Sequence, residues 1–265
     1  MDVLARHRLS LLGLDPDALE ASPVDARVDA VYAAFVARVP YENLSNLSRR
    51  RARPAEPESW PRGTDRLLRD LADHGLGGTC FSMAYALADL FRNVGANAHT
   101  VLGMHLRKEE SHACTVVWGA EGPRLFDASF FLARALPVWP GASVDDGLFR
   151  FDLEARCGPL MTLVQTARDG TRTPLYSLIP NPAPPDAFRR AWLQTFLERP
   201  ERAVRIARRV GHEVRWFGEE AGRVDRITPD GKVSLAVARD PVPMLHELFG
   251  VSVDTLRGFF ASPRG

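Results

Sequence analysis

Apolar side chains recur every three to four residues along the first hundred residues, which is the spacing of amphipathic helices. This spacing predicts a helix over residues 25–39, ended by Pro40, and a second helix over residues 64–73. The proline-containing stretch 49–62 is predicted to be a polar loop. A third helix is predicted from residue 80 to about residue 94, because six apolar positions share one face and Gly95 follows.

The pattern changes near residue 98 to short runs typical of β-strands. Strands are predicted over residues 98–106, 113–118, 124–131 and 161–165, with a turn over 119–123. A proline-rich break at 180–186 precedes a predicted helix over 187–198. Short strands around Asp230-Gly231 and a final helix over 243–249 follow. The chain is therefore expected to have a helical region, a β-rich region and a small α/β end.

Composition and charge narrow the classes of function. The 34 Lys and Arg residues balance 33 Asp and Glu residues, so the net charge of +1 gives no reason to expect a nucleic-acid partner. No apolar stretch approaches the ~20 residues that span a bilayer, and the first residues lack a secretory signal. Three cysteines, an odd number, fit a reducing compartment better than a disulfide framework. We expect a soluble, cytoplasmic protein without a membrane partner.

Cys80 is the first candidate for chemistry, since it follows Gly77 and Gly78 and opens the third predicted helix. The positive end of the helix dipole and the unpaired backbone N–H groups of a first turn both stabilise thiolate over thiol. The glycines would let the backbone approach a substrate closely or supply a positive φ at a tight turn. The alternative is a small buried apolar residue, because free cysteine is often buried.

His112 and Asp127 are candidate partners of Cys80. His112 is expected at the end of a strand, and Asp127 in the next strand among apolar neighbours, where a carboxylate requires a partner. Together the three residues match a nucleophile, a base and a group that orients the base. However, a five-residue loop over 119–123 would place Asp127 opposite Thr115 and His112 opposite Phe130. That odd offset puts the pair on opposite sheet faces, about 10 Å apart along the strand, unless a bulge or twist corrects it.

A metal site is the other way to use these side chains. Cys80, His112, Cys114 and Asp127 could be imagined as ligands, since Cys114 shares a strand face with His112. Their spacing matches no common zinc pattern and lacks a local Cys-x-x-Cys pair, so no metal is expected. Cys157, before Gly158-Pro159, is expected to be structural.

Four segments, in order, resemble the arylamine N-acetyltransferase family along nearly the whole chain. Residues 39–44 (Val-Pro-Tyr-Glu-Asn-Leu) are similar to the family's Pro-Phe-Glu-Asn-Leu segment, and residues 77–81 (Gly-Gly-Thr-Cys-Phe) to its Gly-Gly-x-Cys-Phe nucleophile motif. His112 opens an apolar run, and Asp127 follows at the family's fifteen-residue interval. Residues 245–251 (Leu-His-Glu-Leu-Phe-Gly-Val) resemble its Leu-x-x-x-Phe-Gly-Ile close.

The resemblance implies an α+β fold with an N-terminal helical bundle (1–97), a central β-barrel domain (98–183) and a linker helix with a C-terminal α/β lid (184–265). It implies a Cys80–His112–Asp127 triad, related to papain-like and transglutaminase-like enzymes, that moves an acetyl group from acetyl-CoA to an arylamine or hydrazine. Glu42 is expected to support the structure. The substrate and oxyanion region is expected to comprise Gly78, Thr79, Phe81, Ser129, Phe130 and Phe131.

Several positions depart from the family's pattern. Leu76 stands where the family usually has Arg, so Glu42 needs another cation or solvent. Ser82 and Ala84 replace its Glu or Gln and its Asn after Cys-Phe. Ser129 and Phe131 replace two glycines beside the triad aspartate, and Phe131 is expected to narrow or reshape the substrate groove.

These departures affect the substrate more than the chemistry, so alternatives stay open. One is an amide synthase that takes acyl chains from a carrier protein in a natural-product pathway. Another is a transglutaminase-like or peptidase-type hydrolase with the same triad. A third is a non-enzymatic binding module of the same fold. The donor is expected to be acetyl-CoA or another acyl thioester, and the acceptor a small-molecule amine.

Overall fold

The structure is a computed structural model that describes residues 1–52, 59–105, 108–197 and 203–261. Its helices, in chain order, are α1 (Val3–Leu11), α2 (Pro16–Glu20), α3 (Val24–Arg38), α4 (Leu44–Ala52), α5 (Thr64–His74), α6 (Cys80–Asn93), α7 (Pro185–Leu197), α8 (Val242–Phe249) and α9 (Val253–Ala261). Its strands are β1 (Tyr41–Glu42), β2 (Ala98–His105), β3 (Lys108–Gly119), β4 (Gly122–Phe126), β5 (Leu136–Pro137), β6 (Ser143–Asp145), β7 (Arg150–Ala155), β8 (Met161–Thr166), β9 (Arg172–Leu178), β10 (Arg205–Val210), β11 (Glu213–Gly218), β12 (Arg223–Thr228) and β13 (Gly231–Ala236).

The N-terminal helices form where the apolar spacing predicts them. Helices α3, α5 and α6 begin and end within a residue or two of the predicted bounds, and Gly75 ends α5 in the left-handed conformation at φ 68°. Their apolar faces share one core with Leu9 of α1 and Phe126 of β4. The predicted loop over 49–62 is wrong at its start, since residues 49–52 complete α4, a run of arginines with good helix propensity. Residues 53–58 lie outside the described residues.

Eight antiparallel strands form the central sheet, in the order β5-β4-β3-β2-β9-β8-β7-β6. The two edge strands, β5 and β6, contact each other without pairing, so the sheet is a nearly closed barrel. Its interior is a second core, with Val116, Leu125, Phe151 and Leu163 fully or almost fully buried. The predicted strands 98–106 and 161–165 correspond to β2 and β8, and residue 106 lies outside the described residues.

Two strand predictions around the site are wrong. The strand predicted over 113–118 begins at Lys108, because pairing with β2 extends it through a polar run; His112 is therefore inside β3 and not at its end. The strand predicted over 124–131 ends at Phe126, and Asp127 begins a turn. The connection is a two-residue turn, since Gly119 pairs with Gly122.

A five-stranded sheet in the order β1-β10-β11-β12-β13 joins the two ends of the chain. Strand β1 comes from the N-terminal region and pairs with β10. Helices α8 and α9 cover a third core, in which Phe249 and Leu256 pack with Leu44 of α4. Helix α9 was not predicted, because Gly258 interrupts its apolar spacing. Helix α7 packs on α6 through Phe188 and Trp192; its predicted last residue, 198, lies outside the described residues.

The pairing of β1 with β10 bears on the expected domain boundaries. Boundaries at 97/98 and 183/184 stay a prediction, because a segment of the first region completes the sheet of the third. Within the described ranges no helix is both long and apolar enough to cross a membrane.

Candidate active site

Cys80 is the first residue of α6, as predicted, and it is half-buried. Thr79 is the N-cap residue, but its side chain accepts no hydrogen bond from the helix. The first-turn amides and the helix dipole therefore face the cysteine, and both favour a thiolate.

The two glycines before Cys80 are required by close packing and not by a positive φ. A Cβ atom on Gly77 would lie 1.8 Å from the carbonyl oxygen of Pro40, and one on Gly78 would lie 2.7 Å from Cβ of Ser82. The Gly78 amide donates to the same Pro40 oxygen over 3.3 Å. The backbone that Gly77 approaches is thus this chain's own, and the expected positive φ is wrong at both glycines. A close approach of substrate stays a prediction.

His112 links Cys80 to Asp127. Nε2 of His112 lies 2.7 Å from Oδ2 of Asp127, and both residues are buried. Cys80 lies close enough to the same imidazole to favour its charged form, and the bond from Nε2 to Asp127 leaves Nδ1 as the ring nitrogen available to the sulfur. Burial opposes a charged ring, but the carboxylate of Asp127 and the thiolate form of Cys80 outweigh it and raise the pKa of His112 to about 10.

Asp127 is fixed by the turn that it begins. Its Oδ1 accepts from the backbone N–H of Ser129 over 3.0 Å, from the Ser129 hydroxyl over 2.7 Å and from the Phe130 N–H over 3.3 Å. Burial works against the carboxylate, but His112 and these donors hold the pKa of Asp127 below its ordinary value. Ser129 therefore acts on the carboxylate, a role that its place in the predicted substrate region did not suggest.

The strand register explains how histidine and aspartate meet. Thr115 pairs with Phe126, so continuing the register sets Asp127 opposite Cys114, two residues from His112 and on the same face. The predicted five-residue loop shifted this register by one residue and so reversed the face. About 7 Å along the strand still separate the levels of Asp127 and His112. The turn after Phe126 closes that distance, because the chain leaves the sheet there.

Cys114 takes no part in this geometry. It is fully buried, and burial holds its pKa well above the ordinary range, which keeps it a thiol. Cys157 is exposed, and all three cysteines are free. Among the described residues, no group of three or more His, Cys, Asp or Glu side chains is arranged to hold a metal ion.

Tyr176 of β9 is a neighbour of the site that the sequence did not reveal. Its ring centroid lies 4.1 Å from that of His112 and 5.7 Å from that of Phe130. Gly103 makes room for this ring, since a Cβ there would come within 2.9 Å of it. No strand was predicted over 172–178, and 64 positions separate the two residues in sequence, so no local pattern could have linked them.

Phe131 keeps a backbone conformation that suits glycine. Its φ is +58°, in the left-handed region that costs a non-glycine residue about 1–2 kcal/mol. Its carbonyl oxygen accepts from Arg209 of β10 over 2.9 Å, and Arg209 is also paired with the buried Asp146. The phenyl ring is buried in the barrel core and forms part of the cavity wall; its effect on the shape of a substrate groove stays a prediction.

Glu42 is fully buried, and its cation is Arg62. Nη2 of Arg62 lies 3.1 Å from Oε1 of Glu42 and 2.6 Å from the carbonyl oxygen of Gly77, while Nη1 lies 3.0 Å from Asp70. Arg62 is 1% exposed, although it was predicted to lie in a polar loop. Leu76, in the position where the resemblance implies arginine, packs in the apolar core with Phe249.

A cavity of about 500 Å³ opens beside Cys80, between the helices, the barrel and the five-stranded sheet. The predicted site residues that line it are Thr79, Cys80, Phe81, His112, Ser129, Phe130 and Phe131. Three predicted site residues do not line the cavity: Gly78, Asp127 and Glu42. The ring of Phe81 is fully buried and packs on Phe188 of α7, 5.5 Å between centroids. The roles assigned to these residues stay predictions.

In this α+β chain Cys80 and His112 thus line one cavity, and His112 is hydrogen-bonded to Asp127 behind it. No protein-family model and no curated protein sequence matches this chain. Solved structures do match. The M. smegmatis arylamine N-acetyltransferase shares 20% identity, covers 97% of this chain and 95% of its own, and has a TM-score of 0.79. The enzyme from Salmonella typhimurium shares 15% identity over 98% of this chain and 99% of its own, with a TM-score of 0.77.

The Mycobacterium marinum arylamine N-acetyltransferase in complex with CoA also matches, at 16% identity over 97% of this chain and 98% of its own, with a TM-score of 0.77. The chain therefore has the arylamine N-acetyltransferase fold from end to end, which confirms the predicted fold class. At these identities the fold is what is shared.

Proposed function

We propose that this protein is a cysteine-dependent N-acyltransferase that carries an acyl group on Cys80 between a thioester donor and an amine. The observation that carries the proposal is the grouping of Cys80 and His112 on the wall of one cavity, with His112 hydrogen-bonded to the buried Asp127. The fold supports it, because proteins of this fold are named as acetyltransferases.

In the first half of the reaction, Sγ of Cys80 attacks the carbonyl carbon of the thioester. The bond between that carbon and the donor's sulfur breaks, and the departing thiolate takes the proton of the His112 imidazolium. Asp127 stabilises the imidazolium before that transfer. Backbone N–H groups in the first turn of α6 face the oxyanion that forms meanwhile.

In the second half, the nitrogen of the amine attacks the acyl carbon on Cys80. The carbon–sulfur bond breaks, the thiolate of Cys80 is restored, and the proton of the amine passes to His112. The enzyme thereby returns to its starting ion pair, and the amide leaves the cavity.

The walls of the cavity suit a phosphorylated thioester such as acetyl-CoA. Arg50 and Arg205 line it, and none of its described lining residues is acidic. Positive charge of this kind attracts phosphate groups. One neighbour of the same fold is described as a complex with CoA. We therefore propose an acyl-CoA as the donor and an arylamine or hydrazine as the acceptor.

Intact-protein mass after brief exposure to a panel of acyl-CoAs tests the proposal. We expect one acyl group per chain, a stoichiometric burst of free CoA, and loss of both in Cys80→Ala. Cys157→Ala is the matched control, since Cys157 is exposed and remote from the cavity, and it should load as the wild type does. Full activity in Cys80→Ala, or acyl mass located on Cys157, would contradict the proposal.

The same mass measurement, extended to a carrier-protein thioester and to incubation without an amine, separates the alternatives. Loading only from a carrier-protein thioester would identify an amide synthase. Rapid loss of the acyl group to water, without an amine, would identify a hydrolase.

A further inference from the structure

The cavity contains a second histidine that the proposed acyl transfer does not use. His105 is the last residue of β2 and is half-buried. It lines the cavity beside Ser111 and Leu175. Hydrogen bonds hold its main chain, because its N–H donates to Oγ of Ser111 over 3.0 Å.

One contact fixes the orientation and the tautomer of the His105 ring. Nδ1 lies 2.6 Å from the backbone carbonyl oxygen of Leu175. A carbonyl oxygen only accepts, so Nδ1 carries the proton. In the neutral ring Nε2 is then a hydrogen-bond acceptor. Among the described residues, Nε2 has no partner. The site therefore holds an oriented acceptor at the cavity wall.

The backbone sets the distance of His105 from the triad. Gly103 pairs with His112, and a bulge shifts the register between Gly103 and His105. Bulges commonly redirect a side chain next to an active site. Two strand residues, about 7 Å, separate the levels of the two imidazoles. The ring of Phe130 lies between them, 6.3 Å from the centroid of His105 and 5.1 Å from that of His112.

We propose that His105 is a specificity-determining residue, whose Nε2 accepts a hydrogen bond from an N–H or O–H group of the acyl acceptor. That group lies at the end of the acceptor remote from its nucleophilic nitrogen. An aromatic amine with a donor opposite the amine fits, because its ring can lie against Phe130 while its two ends face His112 and His105. The inference rests on the proposed acyl transfer and names the acceptor class that the site prefers.

Two acceptors that differ in one donor group test it: 4-hydroxyaniline and 4-methoxyaniline. The enzyme is loaded at Cys80 with an acyl-CoA, and the rate constant of acyl loss to each amine is measured in single turnovers at subsaturating amine. We expect the wild type to favour 4-hydroxyaniline by roughly two- to tenfold, the range of one neutral hydrogen bond. The ratio of the two rate constants does not depend on the fraction of active enzyme, so partial misfolding of a variant does not obscure it.

Two variants separate the nitrogen atoms of the ring. His105→Asn retains an N–H near Nδ1 for Leu175 but has no atom at the place of Nε2, so the preference should fall to about one. His105→Gln can place an amide oxygen near Nε2 and should recover part of it. His99→Asn is the control, since His99 lies on the same strand, bonds Asn97 and does not line the cavity.

The outcomes distinguish the two levels of the proposal. If Cys80 loads and turns over but the ratio is the same in wild type and His105→Asn, the role of His105 is overturned and the proposed function stands. If no acyl thioester loads Cys80, both fail.

Discussion

His112 is hydrogen-bonded to the Asp127 carboxylate and lies near Cys80, and both neighbours favour its charged form. The imidazolium therefore persists to about pH 10, where an ordinary imidazole loses its proton near 6.5. The proposed acylation needs the imidazolium, since His112 donates its proton to the leaving group in that mechanism. The pH dependence of the proposed acylation is thus set by the buried pair of His112 and Asp127.

We expect the rate of Cys80 acylation to fall as the pH passes about 10, the pKa of His112. Asp127→Asn removes the negative partner, so the falling limb should move to lower pH and the rate should drop by about 10³–10⁴-fold. A pH–rate profile of CoA release measures both.

Asp146→Asn is the control for that variant, because Asp146 is a buried carboxylate that pairs with Arg209 and not with His112. Its falling limb should stay in place. An unchanged limb in Asp127→Asn would show that the carboxylate does not hold the proton on His112.

The raised pKa of His112 also makes folding depend on pH. Below about 6.5 the ring is protonated in the folded and unfolded chain alike, and the full stabilisation is present. As the pH rises toward 10 the unfolded chain binds fewer protons, so this contribution to the free energy of unfolding declines. Denaturant titrations from pH 6 to 10 should show that decline in the wild type and a weaker one in His112→Phe, whereas equal slopes would contradict it.

Phe131 gives a second test at this scale, because its positive φ reverses the usual order of alanine and glycine. Both Phe131→Ala and Phe131→Gly should lose about 3–5 kcal/mol of unfolding free energy with the buried ring. At φ +58° the glycine variant should be the more stable by about 1 kcal/mol. Urea unfolding of both variants measures the difference.

Phe149 serves as the reference position, since it is buried, lines the same cavity and has no positive φ. There, Gly should be less stable than Ala by about 0.5–1 kcal/mol. The same order at both positions would show that the Phe131 backbone is unstrained.

Among the elements, the loop that presents Cys80 depends on a buried cation. Arg62 bonds Glu42, Asp70 and the Gly77 carbonyl oxygen, and so ties β1 and α5 to the segment before α6. Charged groups buried in this way need every partner, because removing one leaves the others uncompensated.

Arg62→Met should therefore cost about 3–5 kcal/mol of unfolding free energy. Arg172→Met is the comparison, since the ion pair of Arg172 with Glu154 is exposed and should contribute no more than about 1 kcal/mol. Equal costs in the two variants would show that the buried network has no special weight.

In the whole molecule, the two chain ends are joined through Asn43. Its side chain donates to the carbonyl oxygen of Ala203 over 2.8 Å and accepts from the N–H of Arg205 over 2.8 Å, beside the pairing of β1 with β10. Strand β10 in turn carries Arg209, which holds the carbonyl oxygen of Phe131. The five-stranded sheet is thus connected to the turn that Asp127 begins.

Asn43→Ala removes the hydrogen bonds to the carbonyl oxygen of Ala203 and from the N–H of Arg205. Each loss should lower the free energy of unfolding by about 1–3 kcal/mol. We expect faster hydrogen exchange in β10, with little change in β7 and β8 of the barrel. Exchange mass spectrometry measures both regions. Asn97→Ala, which affects an exposed residue beside His99, is the control and should leave hydrogen exchange in β10 unchanged. If β10 exchanged as slowly in Asn43→Ala as in the wild type, the link would be contradicted.

The sequence by itself determined the elements with regular spacing and the residues named for the chemistry. The stripes of α3, α5 and α6 repeat every three to four residues, and Pro40 and Gly95 mark ends, so these helices followed from local pattern. Cys80, His112 and Asp127 followed from residue types and from four segments in family order.

Only the tertiary structure decided which residues meet. The turn between β3 and β4 is shorter than predicted, and it shifts the register of the two strands by one residue. That shift decides whether Asp127 and His112 lie on the same sheet face. Arg62, Tyr176 and His105 lie near the site on other segments of the chain, which no local pattern links to Cys80. The reason is physical: spacing along the chain fixes which face a side chain occupies, whereas partners for buried charges and rings are selected by the packing of whole elements.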